Sequence, residues 1–160
     1  MDETEPRRLA FIFDIDGTLA DNRHRQRYLY QSGKTKSECW KDFFEKSGED
    51  PLYQDTVLLA TRLSMAGFVI LFVTGRSKAY HEMTKTWLED AMREPILDSQ
   101  IFERKEKDFR KDWEVKQEIY ATLIEPKYRV LGVFEDNLAC VKMWRARGLT
   151  CYQPREETIL

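Results

Sequence analysis

The chain has little of what unusual small folds depend on. It holds 7 glycines and 5 prolines in 160 residues, too few for a collagen-like or low-complexity tract. Its three cysteines, Cys39, Cys140 and Cys151, are an odd number without metal-type spacing. That argues against a disulfide framework or a zinc finger and makes reduced thiols in a cytoplasmic protein the expectation. Neither sign of charge dominates: 26 Lys and Arg face 28 Asp and Glu, for a net charge of -2. Any contact with nucleic acid must therefore come from a local basic patch rather than from the global field. No apolar run approaches the length of a membrane span, so no membrane partner is expected. No signal peptide is visible; residues 1–8 are polar and read as a frayed arm. The pattern G-x-x-x-x-G-K-[ST] of a nucleotide-binding P-loop does not occur.

What is present suits one globular unit. The composition is 42% apolar and 34% charged, and the length supports a single core over residues 9–160. The densest chemistry is Asp14-Ile-Asp-Gly-Thr-Leu-Ala-Asp21, directly after the apolar run Leu9 to Phe13. Two carboxylates one residue apart at the end of a buried strand repel each other. A hard divalent cation such as Mg²⁺ would relieve that repulsion through oxygen ligands. A nucleophilic carboxylate beside a second carboxyl that moves protons is also the equipment for phosphoryl transfer. A polar turn capping a helix is the plainer alternative.

Strand and helix alternate along the rest of the chain. Leu9 to Asp14 reads as a buried strand, and Asp21 to about Asp50 as a basic, aromatic, mainly helical insertion. Pro51 is placed to open a helix whose inward stripe is Leu52, Thr56, Leu59 and Leu63, closed by Gly67. Phe68 to Val73 is a second strand, followed by Thr74-Gly75-Arg76 and a helix capped by Ser77. Ile101-Phe102 is a short third strand, and Glu103 to Lys111 a charged loop. Asp112 to Leu123 reads as a helix with Val115, Ile119 and Leu123 inward. Tyr128 to Phe134 is a fourth strand, ending at Glu135-Asp136. Asn137 starts a last helix carrying Leu138, Val141 and Trp144, stopped by Gly148 before the strand Leu149 to Tyr152. Such alternation predicts a parallel sheet with helices on both faces, a three-layer α/β/α architecture. Ligands of these sheets bind beyond the carboxyl ends of the strands. Asp14, Thr74, Glu135 and Asp136 all fall at that edge.

These residues resemble the haloacid dehalogenase (HAD) superfamily of phosphatases. Within it, the chain is similar to the 3′-phosphatase domain of phage polynucleotide kinase and its stand-alone relatives, from Leu9 to about Gln153. The resemblance rests on Asp14-x-Asp16-Gly17-Thr18, Val73-Thr-Gly-Arg76, Arg104 with Arg110-Lys-Asp112-x-x-Val-Lys116, Glu135-Asp136, and Val141-Lys-Met-Trp144-Arg145. It implies a HAD-like Rossmannoid fold with a small helical cap at about residues 21–50. It implies Asp14 as nucleophile, Asp16 as proton donor and acceptor with a somewhat raised pKa, and Thr74 and Lys116 as partners of the phosphoryl oxygens. Mg²⁺ would be held by Asp14, the backbone carbonyl of Asp16, and Asp136. Glu135, where the family commonly has Asp, would bond a water or orient Lys116, and Asp112 would orient basic groups. Arg76, Arg104 and Arg110, with Thr18, Gly75 and His24, would contact the substrate. That substrate would be a phosphorylated nucleotide or oligonucleotide end, of DNA or RNA. A kinase activity is not expected within this chain, and a separate kinase subunit would have to supply it.

Each residue also has a plainer reading. Lys116 forms an i,i+4 pair with Asp112 that could be solvent-exposed. Residues 103–112 mix both signs, as a solvated loop does. Trp40, Phe43 and Phe44 suit a small core as well as a base-stacking platform. Lys111 rivals Lys116 but precedes the expected helix. At the level of function, the same chemistry would serve a free mononucleotide or small metabolite. A non-catalytic domain that binds phosphorylated ends is a further alternative.

Overall fold

A computed structural model describes residues 6–156 of the chain; residues 1–5, most of the expected arm, lie outside the described part. Its centre is a five-stranded parallel sheet in the order β3-β2-β1-β4-β5. The strands are β1 (Arg8–Phe13), β2 (Val69–Ser77), β3 (Ile101–Arg104), β4 (Tyr128–Phe134) and β5 (Cys151–Tyr152). The helices are α1 (Lys36–Glu45), α2 (Gln54–Met65), α3 (His81–Met92), α4 (Asp112–Ile119) and α5 (Leu138–Ala146). Strand order reverses at β1, because the chain moves outward through β2 and β3 and then crosses to β4. Such a reversal opens a crevice at the carboxyl edge.

Strand alternation explains the continuous apolar runs. Ala10, Ile12, Leu71, Val73 and Val133 face one layer, with Val115, Ile119, Val141 and Trp144 of α4 and α5. Phe13, Ile70 and Phe72 face the other, with Val57, Ala60, Trp87 and Leu88 of α2 and α3. Both faces are covered, so period-two alternation of polarity never appears in these strands. Phe13 stacks on Phe134 with centroids 4.4 Å apart, and Phe134 on Tyr152 at 5.1 Å. Full burial of Phe13 contributes about 1.5–3 kcal/mol. This packing fixes the end of β1, where Asp14 begins.

Residues 21–50 form a helical layer of their own. Arg23–Tyr30 is a 3-10 helix, and α1 begins with a capping box between Thr35 and Glu38. Trp40, Phe43 and Phe44 pack on one another, and Phe44 meets Tyr80 of the main body. They make a small core.

Several sequence expectations are corrected. Residue 8 is not arm but the first residue of β1. The helix expected from Pro51 starts at Gln54 instead. The backbone of residues 51–53 is spent on the acidic loop: the Asp21 amide donates to the Pro51 carbonyl (2.8 Å), the Tyr53 amide to that of Leu19 (2.8 Å), and Leu52 bridges Ala20. Of the expected stripe, Thr56 is buried and Leu52 and Leu63 pack against the core, but Val57 and Ala60 take the inward place of Leu59, which is 40% exposed. β2 runs on through Thr74-Gly75-Arg76 to Ser77, and Glu103 and Arg104 belong to β3 rather than to a loop. After Ile119 the helix widens into a π turn, Tyr120–Ile124. The i→i+5 spacing buries Ile124 and turns Leu123 outward. Leu138 is exposed, since it is the first residue after the Asn137 cap.

Candidate active site

Asp14 continues from β1, its amide donating to the Phe134 carbonyl of β4 at 2.9 Å. The chain then closes a tight loop, with the amides of Thr18, Leu19 and Ala20 all directed at the Ile15 carbonyl. Gly17 makes this possible: its φ is +85°, and a Cβ there would lie 2.0 Å from an Asp136 carboxylate oxygen. The loop is therefore pressed against the end of β4. Thr18 lies beneath, its hydroxyl donating to Asp14 Oδ2 at 3.4 Å.

Lys116, near the end of α4, is the hub. Only 1% of its side chain is exposed, and its ammonium donates to Asp14 Oδ1 and to Glu135 Oε2, both at 2.7 Å, with Asp112 Oδ2 at 3.1 Å. The exposed i,i+4 alternative is thus excluded. Burial by itself would lower the Lys116 pKa; Asp112, Asp14 and Glu135 more than offset it and hold the ammonium well above its ordinary range. Glu135 is fixed further by the Asn137 amide (3.2 Å) and Trp144 Nε1 (3.4 Å).

Carboxylate oxygens of Asp14, Glu135 and Asp136 lie within 4.8 Å of one another, and all three residues are buried. Burial first, then the neighbouring Glu135, raises the Asp14 pKa well above its ordinary value against the pull of Lys116. Burial carries Glu135 to about 7, and burial with the Asp14 charge carries Asp136 to about 8. Three carboxylates, of Asp14, Asp112 and Glu135, pair with the one ammonium, and Asp136 lies beside them, so the four together carry more negative charge when ionised than Lys116 can offset. An all-oxygen donor set with uncompensated charge fits a hard divalent cation. Glu135 thus stands among the candidate ligands as well as on Lys116.

Thr74 and Gly75 sit at the same edge on β2. The register aligns Phe13 with Phe72, so Thr74 lies just past Asp14 on the neighbouring strand. The Thr74 hydroxyl accepts the Arg76 amide at 3.2 Å. A Cβ on Gly75 would meet Asp112 Oδ1 at 2.2 Å, so this backbone is approached by the same Asp112 that holds Lys116.

Asp16 belongs to a second cluster. Its carboxylate accepts from Arg76 Nε (3.0 Å) and Nη2 (2.7 Å) and from Arg25 Nη2. Asp50 accepts from Arg25 Nε and Nη2 (both 2.7 Å), Arg76 Nη2 (3.1 Å) and His24 Nε2 (2.8 Å). Arg25 also lies over the Phe43 ring at 4.1 Å, and Trp87 Nε1 donates to the Asp50 carbonyl at 2.9 Å. The cluster fastens residues 21–50 to the sheet. The raised pKa expected for Asp16 is overturned: although burial pushes upward, Arg25 and Arg76 hold its carboxyl well below the usual range.

The arginines expected on phosphate are engaged otherwise. Arg76 is fully buried between Asp16 and Asp50. Arg104 donates to the carbonyls of Gly75 (3.1 Å), Asp108 (3.0 Å) and Arg110, and approaches Asp112 at 3.4 Å, bracing the 105–111 loop. Arg110 pairs with Asp108 and Glu118 on the surface. Sequence reasoning also missed Arg25 and Asp50 as a site pair. Nothing in their spacing marks them, beyond the fact that they bracket the insertion. The three cysteines are free and buried, and no described helix is long and apolar enough to cross a membrane.

Comparison with known proteins gives the family. Residues 8–158 match the family model for the polynucleotide kinase PNKP phosphatase domain. A protein of Autographa californica nuclear polyhedrosis virus, "Putative bifunctional polynucleotide kinase/RNA ligase", is 28% identical over 137 residues, 85% of this chain and 18% of that one. A chain in the structure of the Pnkp1/Rnl/Hen1 RNA repair complex superposes with a TM-score of 0.75 and 25% identity, covering 98% of this chain and 45% of that chain. The class C acid phosphatase from Bacillus anthracis shares the fold, with a TM-score of 0.68, 16% identity and coverage of 94% and 69%. The chain thus spans less than half the length of the first two relatives. With the match running through every strand of the sheet and both carboxylate-bearing loops, this chain belongs to the polynucleotide kinase PNKP phosphatase-domain family and is a HAD-type phosphatase.

Proposed function

We propose that the chain is a Mg²⁺-dependent phosphomonoesterase that removes 3′-phosphate from polynucleotide ends through an aspartyl-phosphate on Asp14. The observation that carries this reading is Asp14 itself: a buried carboxylate at the switch point of the sheet, 2.7 Å from the Lys116 ammonium and beside Asp136. Family membership and the likeness to polynucleotide kinase and RNA repair proteins support the choice of substrate.

In this mechanism Asp14, Asp136 and the backbone carbonyl of Asp16 would hold the cation, which when bound would neutralise charge on the phosphoryl oxygens. Asp14 attacks phosphorus in line, forming the Asp14–phosphorus bond as the bond to the 3′-oxygen breaks. Asp16 gives that oxygen a proton. It then takes a proton from the water that attacks phosphorus, and the Asp14 carboxylate is released with inorganic phosphate. Lys116 holds Asp14 in place and offsets charge on the transferring group, while the Thr74 hydroxyl donates to one of its oxygens. Asp16 is ionised in its clamp with Arg25 and Arg76. Acid catalysis therefore needs the incoming phosphate, whose negative charge competes for those arginines and raises the Asp16 pKa. Exposure is greatest at Asp16 (18%) and Asp112 (30%), which flank Asp14 and leave the approach for substrate. Residues 21–50 act as a small cap, which leaves room for a polynucleotide end. A kinase step, where one is needed, is supplied by another domain or chain.

The test is phosphate release with Mg²⁺ from a 3′-phosphorylated oligonucleotide, its 5′-phosphorylated isomer, mononucleotides and sugar phosphates. The 3′-phosphorylated strand should turn over fastest. Added salt should slow it more than it slows a small chromogenic phosphate, because phosphate contacts along a strand are screened. Preference for a mononucleotide or sugar phosphate would reject the polynucleotide assignment, and no release from any monoester would reject catalysis.

A further inference from the structure

After β5 the chain returns behind the site and grips it twice. Gln153 Nε2 donates to the backbone carbonyl of Asp136 at 2.9 Å. Two residues later, Arg155 Nη1 donates to the backbone carbonyl of Thr18 at 3.2 Å and reaches Thr56 Oγ1 at 3.5 Å. Arg155 is itself anchored: Nη2 pairs with Asp55, and its guanidinium lies 3.7 Å from the Tyr53 ring centroid. Thr18 also donates its hydroxyl to Asp14. One short segment therefore fastens the loop that carries Asp14 and the loop that carries Asp136.

Those loops need a restraint. Once ionised to hold a cation, their buried carboxylates repel each other. The Asp136 carboxylate lies against the bare Cα of Gly17, in the loop that follows Asp14, so the two loops touch where no side chain of Gly17 stands between them. Bonds to backbone carbonyls fix the loops without adding charge at the site. Outer partners of this kind govern the affinity and orientation of carboxylate ligands.

We infer that Gln153 and Arg155 are positioning residues: they form a strap that sets the spacing of Asp14 and Asp136, and through it cation affinity and turnover. Neither side chain contacts the carboxylates themselves. The inference rests on the reading that these carboxylates hold a divalent cation.

The test uses the full chain and three variants, Gln153→Met, Arg155→Ala and Arg155→Lys. Gln153 is exposed, so a methionine of similar shape removes the donor without disturbing the core. The thermal midpoint in EDTA reports the fold, and its rise on titration with Mg²⁺ reports cation affinity without catalysis. Gln153→Met should raise the half-saturating Mg²⁺ concentration about tenfold. Arg155→Ala should lower kcat on a 3′-phosphorylated oligonucleotide about tenfold with KM within twofold, and Arg155→Lys should recover part of that loss. A lower EDTA midpoint in the variants, with Mg²⁺ half-saturation and kcat as in the unaltered chain, would reduce the strap to ordinary packing and overturn the inference. Should Arg155→Ala fail to fold, the other two variants decide the matter. An unaltered chain whose midpoint ignores Mg²⁺ would remove the cation reading and the strap together. A normal response with indifferent variants removes the strap alone.

Discussion

Asp16 and Asp50 share the same two guanidinium nitrogens. Nη2 of Arg25 and Nη2 of Arg76 each donate to Asp16 Oδ1 and to Asp50 Oδ2. A carboxylate of the loop after β1 is thereby joined to the end of the 21–50 segment by two buried cations. Breaking such a network leaves an uncompensated buried charge. Asp50→Asn should therefore cost about 3–5 kcal/mol of stability, read from urea unfolding. A cost under about 1 kcal/mol, the value for solvated pairs, would show that the cluster does not hold the segment.

Asp14→Asn should abolish turnover, with a loss of about 10⁴-fold or more. Its stability should stay within about 1 kcal/mol of the parent, because Lys116 keeps Glu135 and Asp112 as partners and no buried charge is left uncompensated. Phosphate release and an unfolding curve on the same preparation check both parts. Appreciable residual turnover would remove Asp14 from the role of nucleophile.

Without divalent cations the acidic cluster makes stability depend on pH. Asp136 titrates at about 8 and Glu135 at about 7 in the folded protein, both above the ordinary carboxylate range near 4. Between about pH 4 and 8 the folded state therefore binds protons that the unfolded state does not. Stability must fall as pH rises through that window and level off above it. Urea midpoints in EDTA from pH 6 to 9 should decline. Cation binding should displace these protons, so Mg²⁺ affinity should rise with pH and calorimetry in buffers of different ionisation heat should detect proton release. A flat midpoint together with no proton release would contradict the buried, cation-binding arrangement.

Gly17→Ala places a methyl 2.0 Å from an Asp136 oxygen at a φ of +85°. The strain costs about 1–3 kcal/mol, and the displaced Asp136 should weaken Mg²⁺ stabilisation and turnover together. Gly33→Ala is the matched control, with φ of +77° but open space around its Cβ. It should cost about 1 kcal/mol and leave phosphate release unchanged. Equal catalytic effects of the two changes would mean that the Gly17–Asp136 contact is unimportant.

Much of the framework was legible because it depends on local pattern. Leu9 to Phe13, Phe68 to Val73 and Tyr128 to Phe134 are apolar runs bounded by polar groups, and each is a strand within a few residues. Asn137 caps α5 as its side chain predicts, accepting from the Cys140 amide. Boundaries failed where distant backbone intervened. Residues 51–53 could have opened a helix but pair with the loop of Leu19 to Asp21. The π turn after Ile119 exchanges Leu123 for Ile124 in the core, a shift of one position that no 3.6-residue pattern reveals.

The sequence alone determined which chemical groups reach the carboxyl edge, because a parallel strand delivers whatever follows its apolar run to that edge: Asp14, Thr74, Glu135 and Asp136. Tertiary structure decided the partners of the buried arginines. Arg76 meets Asp16, Arg25 meets Asp50 and Arg155 meets Thr18 only because segments far apart in the chain dock there. A sequence names a guanidinium but not its neighbour: Arg76 lies between two carboxylates that stand 60 and 26 positions away in the chain only because the sheet and the 21–50 segment dock there.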